Sequence, residues 1–329
     1  MSIDLAAPSR NDAPLLRHAL NGATMGTRYS AVLFAPDGAD IKALDAALFD
    51  AVDRVDRQMS TWKPDSDLNR LHAAPVGDWI AIPRELTAVL AASLRIGRAS
   101  NGAFDIGVGD LVAAWGFGPA GPDPDACRIA ALAKQPRRAT ALALELDEVG
   151  RRARKHAPLS LDLSGIAKGY GVDELARVMD AFAIPSWLVG IDGEMRAKGF
   201  KPDGSPWAVG LERPQRGTRD VMGVIELTDM AVATSGTYRH WRDVGGKTLS
   251  HTMNPKSGVP LENNLASVSV LAPTCMEADA WATVLMVLGE TAGRQMAKTR
   301  GIDAILVLRD GSVRFTEQTA EQPVAALRG

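Results

Sequence analysis

Apolar residues recur every three or four positions in several stretches of the chain, which predicts amphipathic helices. Residues 40–60 show this spacing, with their charges on the opposite side. Residues 83–102 predict a second helix, because Pro83 suits a first turn and Asn101-Gly102 can take the left-handed conformation that ends a helix. Residues 164–182 predict a third. A fourth starts at Thr274 and runs to about Gly289, with Thr274 and Glu277 as a capping box.

Short runs of β-branched, aromatic and alternating residues between these helices predict strands. They include residues 26–34, a hairpin turning near residues 147–150, a strand that ends at Asp162, several strands between 187 and 255 with a turn at Gly245-Gly246, and two strands about Asp310-Gly311. The middle of the chain is therefore mostly sheet. We predict a polar lead-in over residues 1–20 and one two-lobed domain over residues 21–329.

Composition narrows the class of protein. The chain has 329 residues, 46% of them hydrophobic and 23% charged, which is enough to build a sizeable core. A net charge of −2 lacks the basic surface of a nucleic-acid binder, and no apolar run is long enough to span a bilayer. The start has no signal-peptide pattern, so the expected location is the cytoplasm. Cys127 and Cys275 are predicted to be core thiols.

Asp279 and Thr283 stand four residues apart in the predicted fourth helix, so they project from one face. They offer two hard oxygen ligands of the kind that Mg²⁺ prefers. Each also has an ordinary structural explanation. The carboxylate could complement the helix dipole, and the hydroxyl could bond its own backbone.

A strand-to-helix junction at LDLSGIAKGYG suits a phosphate. Helix N-terminal amides and Lys168 attract an anion, and Gly165 lets the backbone approach closely. The alternative is that Ser164 is only an N-cap and Lys168 a solvated charge. Two glycine patterns elsewhere fail as nucleotide motifs, because Trp241 and Val112 stand where a phosphate loop and a dinucleotide fingerprint need glycine.

Three further residues have side chains that could act on a ligand. His251 could accept a proton near neutral pH. Trp62 and Phe104 could stack on an aromatic ligand, although core packing is the default interpretation of each.

Taken together, seven segments resemble the ApbE family of FAD:protein FMN transferases, from about Ala23 to Gly289. They are ATMGT, MSTWKPDSDLNR, NGAFDIGVGDLVAAWGFGP, LDLSGIAKGYGVD, AVATSGTYRHW, SHTMNPKSG and APTCMEADAWATVL, in the family's order. The resemblance implies an α/β (α+β), T-fold-like architecture with a central, mostly antiparallel sheet flanked by helices. It also implies transfer of FMN from FAD to a Thr or Ser hydroxyl of a target flavoprotein, with Mg²⁺ as cofactor and AMP as product.

The resemblance also implies roles for particular residues. Gly165, through its carbonyl, would bind Mg²⁺ together with Asp279 and Thr283. His251 would accept the hydroxyl proton, with Lys168 and Asp162 completing the catalytic set. The residues implied to line the FAD site are Met25, Trp62, Ala103, Phe104, Asp105, Asp162, Lys168 and Met253.

Some positions depart from the family pattern. Trp62 stands where tyrosine is commoner, Gly190-Ile191-Asp192 replaces Asn-Ile-Gly, FDIGVGDLV replaces FDPTVGPLV, and Asn254 stands where aspartate often precedes proline. The family is usually exported or lipid-anchored, in contrast to the cytoplasmic location expected here. Two rival functions remain open: an FAD pyrophosphatase that gives FMN and AMP, and a flavin-binding protein without catalysis.

Overall fold

The computed structural model describes residues 14–119, 121–215, 217, 220–237, 241–244 and 247–316, with the backbone alone for residues 241–244, 247 and 248. Its strands are β1 (Leu15–Thr24), β2 (Thr27–Pro36), β3 (Trp79–Ala81), β4 (Leu144–Asp147), β5 (Arg152–Lys155), β6 (Ser186–Ile191), β7 (Glu194–Lys198), β8 (Trp207–Glu212), β9 (Val221–Leu227), β10 (Ala231–Gly236), β11 (Trp241–Val244), β12 (Lys247–Ser250), β13 (Leu265–Ala272), β14 (Asp303–Leu308) and β15 (Val313–Phe315). Its helices are α1 (Ile41–Met59), α2 (Asp67–Ala73), α3 (Arg84–Ala99), α4 (Gly109–Ala114), α5 (Ala126–Ala133), α6 (Thr140–Ala143), α7 (Ala167–Ala181) and α8 (Cys275–Arg300).

An eight-stranded sheet in the order β1-β2-β6-β7-β10-β13-β14-β15 forms the centre of the fold. All of its neighbouring strands pair antiparallel. The prediction of a central antiparallel sheet flanked by helices is therefore confirmed. The strand β13 is buried along nearly its whole length, because side chains cover both of its faces.

Helices cover one face of this sheet, and a hairpin covers the other. Apolar residues of α1 and α7 pack on β2 and β6, and those of α8 pack on β10, β13 and β14. On the opposite face, Trp207, Leu211 and Ile225 of the β8–β9 hairpin pack against Val232 and Ile305. A further apolar cluster joins α2 and α3 to residues 103–106 and 161–166. That cluster packs the motif segments NGAFDIGVGDLVAAWGFGP and LDLSGIAKGYGVD against the ends of α7 and α8.

The long helices follow the sequence prediction closely. Asp40 caps α1, and Pro83 precedes α3, which ends before Asn101 and Gly102, both at positive φ. Thr274 caps α8 as predicted, whereas the Glu277 carboxylate pairs with Arg95 at 3.0 Å. The helix α8 breaks at Gly289, where φ is 76°, and then continues to Arg300, beyond the predicted end.

Several predictions of local structure are wrong. The segment before Ser164 forms no strand, because its backbone bonds outside the sheets, including Asp162 N to Ile106 O at 2.7 Å. The strand β1 begins at Leu15, inside the predicted lead-in of residues 1–20, of which residues 1–13 lie outside the described part. Cys127 is exposed on α5, and Cys275 alone is buried.

The turn predicted at residues 245–246 also lies outside the described residues, although β11 and β12 on either side of it pair antiparallel. Over the described ranges, none of the helices combines the length and the apolar character needed to cross a bilayer.

Candidate active site

A cleft of about 1130 Å³ lies where the central sheet, α7, α8 and the motif loops meet. It exceeds the volume of most drug-sized ligand sites, which suits an extended ligand. The structure brings all of the predicted site residues to its wall: Met25, Trp62, Ala103, Phe104, Asp105, Asp162, Gly165, Lys168, His251, Met253, Asp279 and Thr283.

The helices α7 and α8 touch at the residues predicted to bind metal. A Cβ placed on Gly165 would lie 3.0 Å from Thr283 Oγ1, so the Gly165 backbone and this hydroxyl are neighbours. One turn further along, Gly169 N donates a hydrogen bond to Asp279 Oδ2 at 3.0 Å. Thr283 Oγ1 also lies 3.1 Å from Ser235 Oγ on β10. The hydroxyl is thus turned toward the cleft and β10, not toward the backbone of its own helix.

Lys168 meets three carboxylates at this junction. Its Nζ lies 2.8 Å from Glu194 Oε1 and 3.5 Å from Asp192 Oδ2, and the charge of Asp279 also acts on it. Burial alone would lower the pKa of Lys168, but the charges of Glu194, Asp279 and Asp192 outweigh burial and raise it. Lys168 is therefore a paired cation, and its interpretation as a solvated surface charge is wrong.

The carboxylates in this group carry more charge than one lysine can balance. Burial and the neighbouring Glu194 charge raise the pKa of Asp279 to about 7, against the opposing effects of Lys168 and the Gly169 amide. Burial also raises the pKa of Glu194, whose buried Oε2 has no hydrogen-bond partner among the described residues. The junction therefore favours an additional cation.

Two aspartates hold the loops that border the junction. Asp105 Oδ1 accepts from Gly107 N at 2.8 Å, and Asp105 Oδ2 accepts from Thr140 N at 3.1 Å. Asp162 Oδ1 accepts from Ser164 N at 2.8 Å. The N-cap of α7 is Ile166, so the interpretation of Ser164 as that cap is wrong.

The three aromatic and imidazole candidates differ in exposure. Trp62 is 67% exposed at the cleft, which makes its interpretation as a core residue wrong. Phe104 is 4% exposed and belongs to the core cluster, so packing does account for its position. His251 lies on the cleft wall, and its ring and that of Phe117 are inclined at 64° with a centroid distance of 6.4 Å.

Asn69 and His72 support the Trp62 loop and were not selected from the sequence as site residues. Asn69 Nδ2 donates to Thr61 O at 3.2 Å and to Lys63 O at 2.8 Å. His72 Nε2 accepts from Leu161 N at 2.8 Å, and Nδ1 lies 3.2 Å from Asn69 Oδ1. The pair therefore joins the Trp62 loop to the segment that carries Asp162 and Gly165.

Comparison with known proteins agrees with this geometry. The sequence model described as "ApbE family" matches residues 25–306. The chain belongs to the ApbE family.

Named relatives of this ApbE protein align over most of its length. An FAD:protein FMN transferase of Klebsiella pneumoniae (strain 342) is 37% identical over 298 residues, which cover 89% of this chain and 84% of the relative. An FAD:protein FMN transferase of Vibrio cholerae is 38% identical over 295 residues, covering 88% and 87%. The apo crystal structure of the Pseudomonas stutzeri flavinyl transferase ApbE superposes with a TM-score of 0.84 at 35% identity, covering 95% of this chain and 98% of that one.

Membership of the ApbE family confirms the resemblance drawn from the motifs and makes the protein an enzyme of the transferase class. The most informative residue that sequence reasoning missed is Glu194, the partner of Lys168. Its segment, GIDGE, was noted only for the departure of Asp192 from the family pattern. The sequence signal that could have identified Glu194 is its position directly after a tight turn, at the start of a strand.

Proposed function

We propose that this protein transfers FMN from FAD to a Ser or Thr hydroxyl of a target flavoprotein in a Mg²⁺-dependent reaction that releases AMP. The observation that carries the proposal is the junction of α7 and α8, where Gly165, Lys168, Asp279 and Thr283 meet on the wall of one large cleft. The names of the relatives support the substrate and the class of reaction.

The residues at the junction fit a magnesium ion. Asp279, Thr283 and the Gly165 carbonyl would hold it, and all three are hard oxygen donors. The surplus negative charge around Lys168 supports a cation at this place. Among the described residues, no three His, Cys, Asp or Glu side chains form a separate metal-binding group. When bound, Mg²⁺ would supply charge neutralisation at the phosphates of the substrate.

The chain's own residues would position the reactants. The acceptor oxygen attacks the FMN phosphorus, the bond to the bridging oxygen of the pyrophosphate breaks, and AMP leaves with that oxygen. Lys168 would stabilise negative charge on the phosphates, and Asp162 would orient bound groups. His251 would take the proton that the acceptor hydroxyl loses. Met25, Ala103, Phe104, Asp105 and Met253 would line the dinucleotide, and Trp62 would cover an aromatic ring.

One assay separates this function from its rivals. The protein is incubated with FAD, Mg²⁺ and candidate acceptor proteins, and both AMP and the flavin fluorescence that survives denaturation are measured. Both signals together indicate transfer, whereas AMP alone indicates a pyrophosphatase. The absence of both signals, with FAD retained, indicates a binding protein.

Asp279→Asn tests the metal assignment, because the amide oxygen can still accept from Gly169 N while the charge is lost. We expect at least about a hundredfold loss of transfer, the scale found when a group that stabilises transition-state charge is removed. Asp37→Ala, an exposed aspartate away from the cleft, is the control and should transfer normally. Wild-type rates in Asp279→Asn would refute the metal assignment.

A further inference from the structure

Glu194 is a buried carboxylate on the wall of the cleft that no step of the proposed reaction uses. Its side chain is 3% exposed, and its Oε2 has no hydrogen-bond partner within the described part of the chain. A carboxylate that is removed from water with one oxygen unsatisfied is costly to bury. The phosphates of FAD are anions as well, so a direct contact between them and Glu194 would be repulsive. We therefore expect Glu194 to act through a neighbouring group.

The β6–β7 hairpin fixes the place of Glu194. Glu194 is the first residue of β7 and pairs with Ile191, the last residue of β6, across the turn Asp192-Gly193. Its neighbour Lys168 differs in this respect, because a lysine amine lies at the end of a flexible stem of four carbons. The rigid strand can therefore determine where the amine of Lys168 lies.

Lys168 is attracted to carboxylates on two sides. Its Nζ lies 2.8 Å from Glu194 Oε1 and 3.5 Å from Asp192 Oδ2, both on the β6–β7 side. Asp279 of α8 attracts it as well, but by charge over a longer distance than either of these two contacts. Asp279 Oδ2 instead accepts from Gly169 N. The amine is thus held apart from the proposed metal ligand.

A Lys168 amine without this anchor would pair with Asp279. It would then cancel the negative charge that attracts Mg²⁺, and it would no longer be available to the phosphates of the substrate. We propose that Glu194 is a positioning residue that holds Lys168 away from Asp279, so that the amine binds the phosphates of FAD and the Asp279 carboxylate remains open to the metal. This inference rests on the proposed transferase function and adds a residue to its site.

The affinity for FAD in the absence of metal tests the position of Lys168. Glu194→Gln removes the charge that holds the amine and preserves the shape of the side chain. We expect FAD to bind about tenfold more weakly, because a charge-assisted contact with phosphate is lost. Riboflavin, which has no phosphate, should bind as it does to wild type. If Glu194 acted only as a negative charge near the phosphates, its removal would relieve repulsion and FAD would bind more tightly. Fluorescence titration in EDTA determines the sign.

Arg196→Met is the matched control, because the Asp173–Arg196 pair also joins α7 to β7. Arg196 Nη1 lies 2.7 Å from Asp173 Oδ1, and Arg196 stands two residues after Glu194, on the same face of β7. Both residues of this pair lie away from the cleft wall, so Arg196→Met should bind FAD and riboflavin like wild type. Glu194→Asp keeps the charge on a side chain one methylene shorter and should retain part of the FAD affinity.

Binding of Mn²⁺, which takes the same oxygen ligands as Mg²⁺, tests the effect on Asp279. Titration of the substrate-free protein, followed by electron paramagnetic resonance, should show about tenfold lower affinity in Glu194→Gln than in wild type. The loss should be smaller when Glu194→Gln is added to Lys168→Met, because no amine remains to occupy Asp279. A pure charge effect of Glu194 would be the same in both backgrounds.

Three results would overturn the positioning role of Glu194. They are unchanged or tighter FAD binding by Glu194→Gln, equal losses for FAD and riboflavin, and an equal loss of FAD affinity in Arg196→Met. Each of them leaves the transferase function intact. A wild-type enzyme that binds FAD but labels no protein and releases no AMP refutes that function itself.

Discussion

Gly169 N donates to Asp279 Oδ2 across the contact between α7 and α8, at 3.0 Å. The same glycine allows the two helices to approach this closely, because a Cβ at position 169 would lie 2.4 Å from Cys275 O and 2.8 Å from Asp279 Cβ. The first of these contacts is with backbone of α8, which cannot move independently of its helix. The placement of the proposed metal ligand thus depends on the absence of a side chain on the facing helix.

Gly169→Ala should therefore separate the two helices and displace Asp279. We expect about 1 to 3 kcal/mol of lost stability, as for other overpacked cores, together with a large loss of transfer activity. Urea denaturation and the FAD assay measure the two effects. Gly171→Ala is the control on the same helix, because its Cβ would meet the ends of the Ile191 and Met25 side chains and not the backbone of another helix. Equal effects of the two substitutions would contradict the argument.

Removal of the Lys168 charge should leave buried carboxylates without their cation. We expect Lys168→Met to lower the free energy of unfolding by about 3 to 5 kcal/mol at pH 8, measured by urea denaturation without FAD or metal. The deficit should shrink as the pH falls. Glu194 and Asp279 have raised pKa values in the folded protein, so they take up protons at a higher pH in the folded protein than in the unfolded chain.

Two further variants test whether the Lys168 effect comes from burial of charge. Lys168→Met combined with Glu194→Gln should recover part of the lost stability, because one buried charge is gone. Lys198→Met breaks a surface pair with Asp180 that measures 2.7 Å, close to the 2.8 Å between Lys168 and Glu194, and it should cost less than about 1 kcal/mol. A loss from Lys198→Met equal to that from Lys168→Met would show that burial of the pair is not the cause.

Trp62 should contribute to FAD affinity by ring contact alone. We expect Trp62→Ala to weaken FAD binding about tenfold, the scale of one aromatic contact, and Trp62→Phe to retain most of the affinity. Fluorescence titration measures both. Phe200→Ala removes another exposed aromatic ring, 55% exposed and away from the cleft wall, and should bind FAD normally. Unchanged affinity in Trp62→Ala would remove Trp62 from the FAD site.

The sequence predicted the elements that are specified by local signals, namely an apolar periodicity and a cap. The helix α1 occupies Ile41–Met59 within a predicted 40–60, because its apolar stripe and its Asp40 cap are local signals. The strand β1 was missed because, among the described residues, it pairs with β2 alone at the edge of the sheet, and only Thr24 in it is buried. The short helix α5 was also missed; its residues are largely apolar, but none of them is buried.

The sequence predicted which residues line the candidate site, but not which of them contact one another. Family motifs selected Lys168 and Asp279, whereas the ion pair of Lys168 with Glu194 spans 26 positions and arises only when β7 lies beside α7. Likewise, His72 contacts Leu161 across 89 positions. Family motifs identify the residues expected to contact the ligand. The partners that hold those residues in place depend on long-range packing, which the motifs do not contain.

His72 should make the stability of the protein depend on pH between about 4 and 6.5. Burial and the nearby Lys155 charge lower the pKa of His72 from 6.5 to about 4. Lys155 is held there by a hydrogen bond of 2.5 Å to His72 O. In that pH window the unfolded chain binds a proton that folded His72 does not. The free energy of unfolding therefore falls as the pH drops from 6.5 toward 4, by up to about 3 kcal/mol.

Urea denaturation of wild type and of His72→Gln across this range measures the effect. Glutamine does not titrate, and its side-chain oxygen can still accept from Leu161 N, so the variant should lose less stability than wild type between pH 6.5 and pH 4. The two curves should converge toward pH 4, because protonation of unfolded His72 penalises wild type alone. Parallel curves over the whole range would show that His72 is not held neutral in the folded protein, and Leu161 N would then need another hydrogen-bond acceptor.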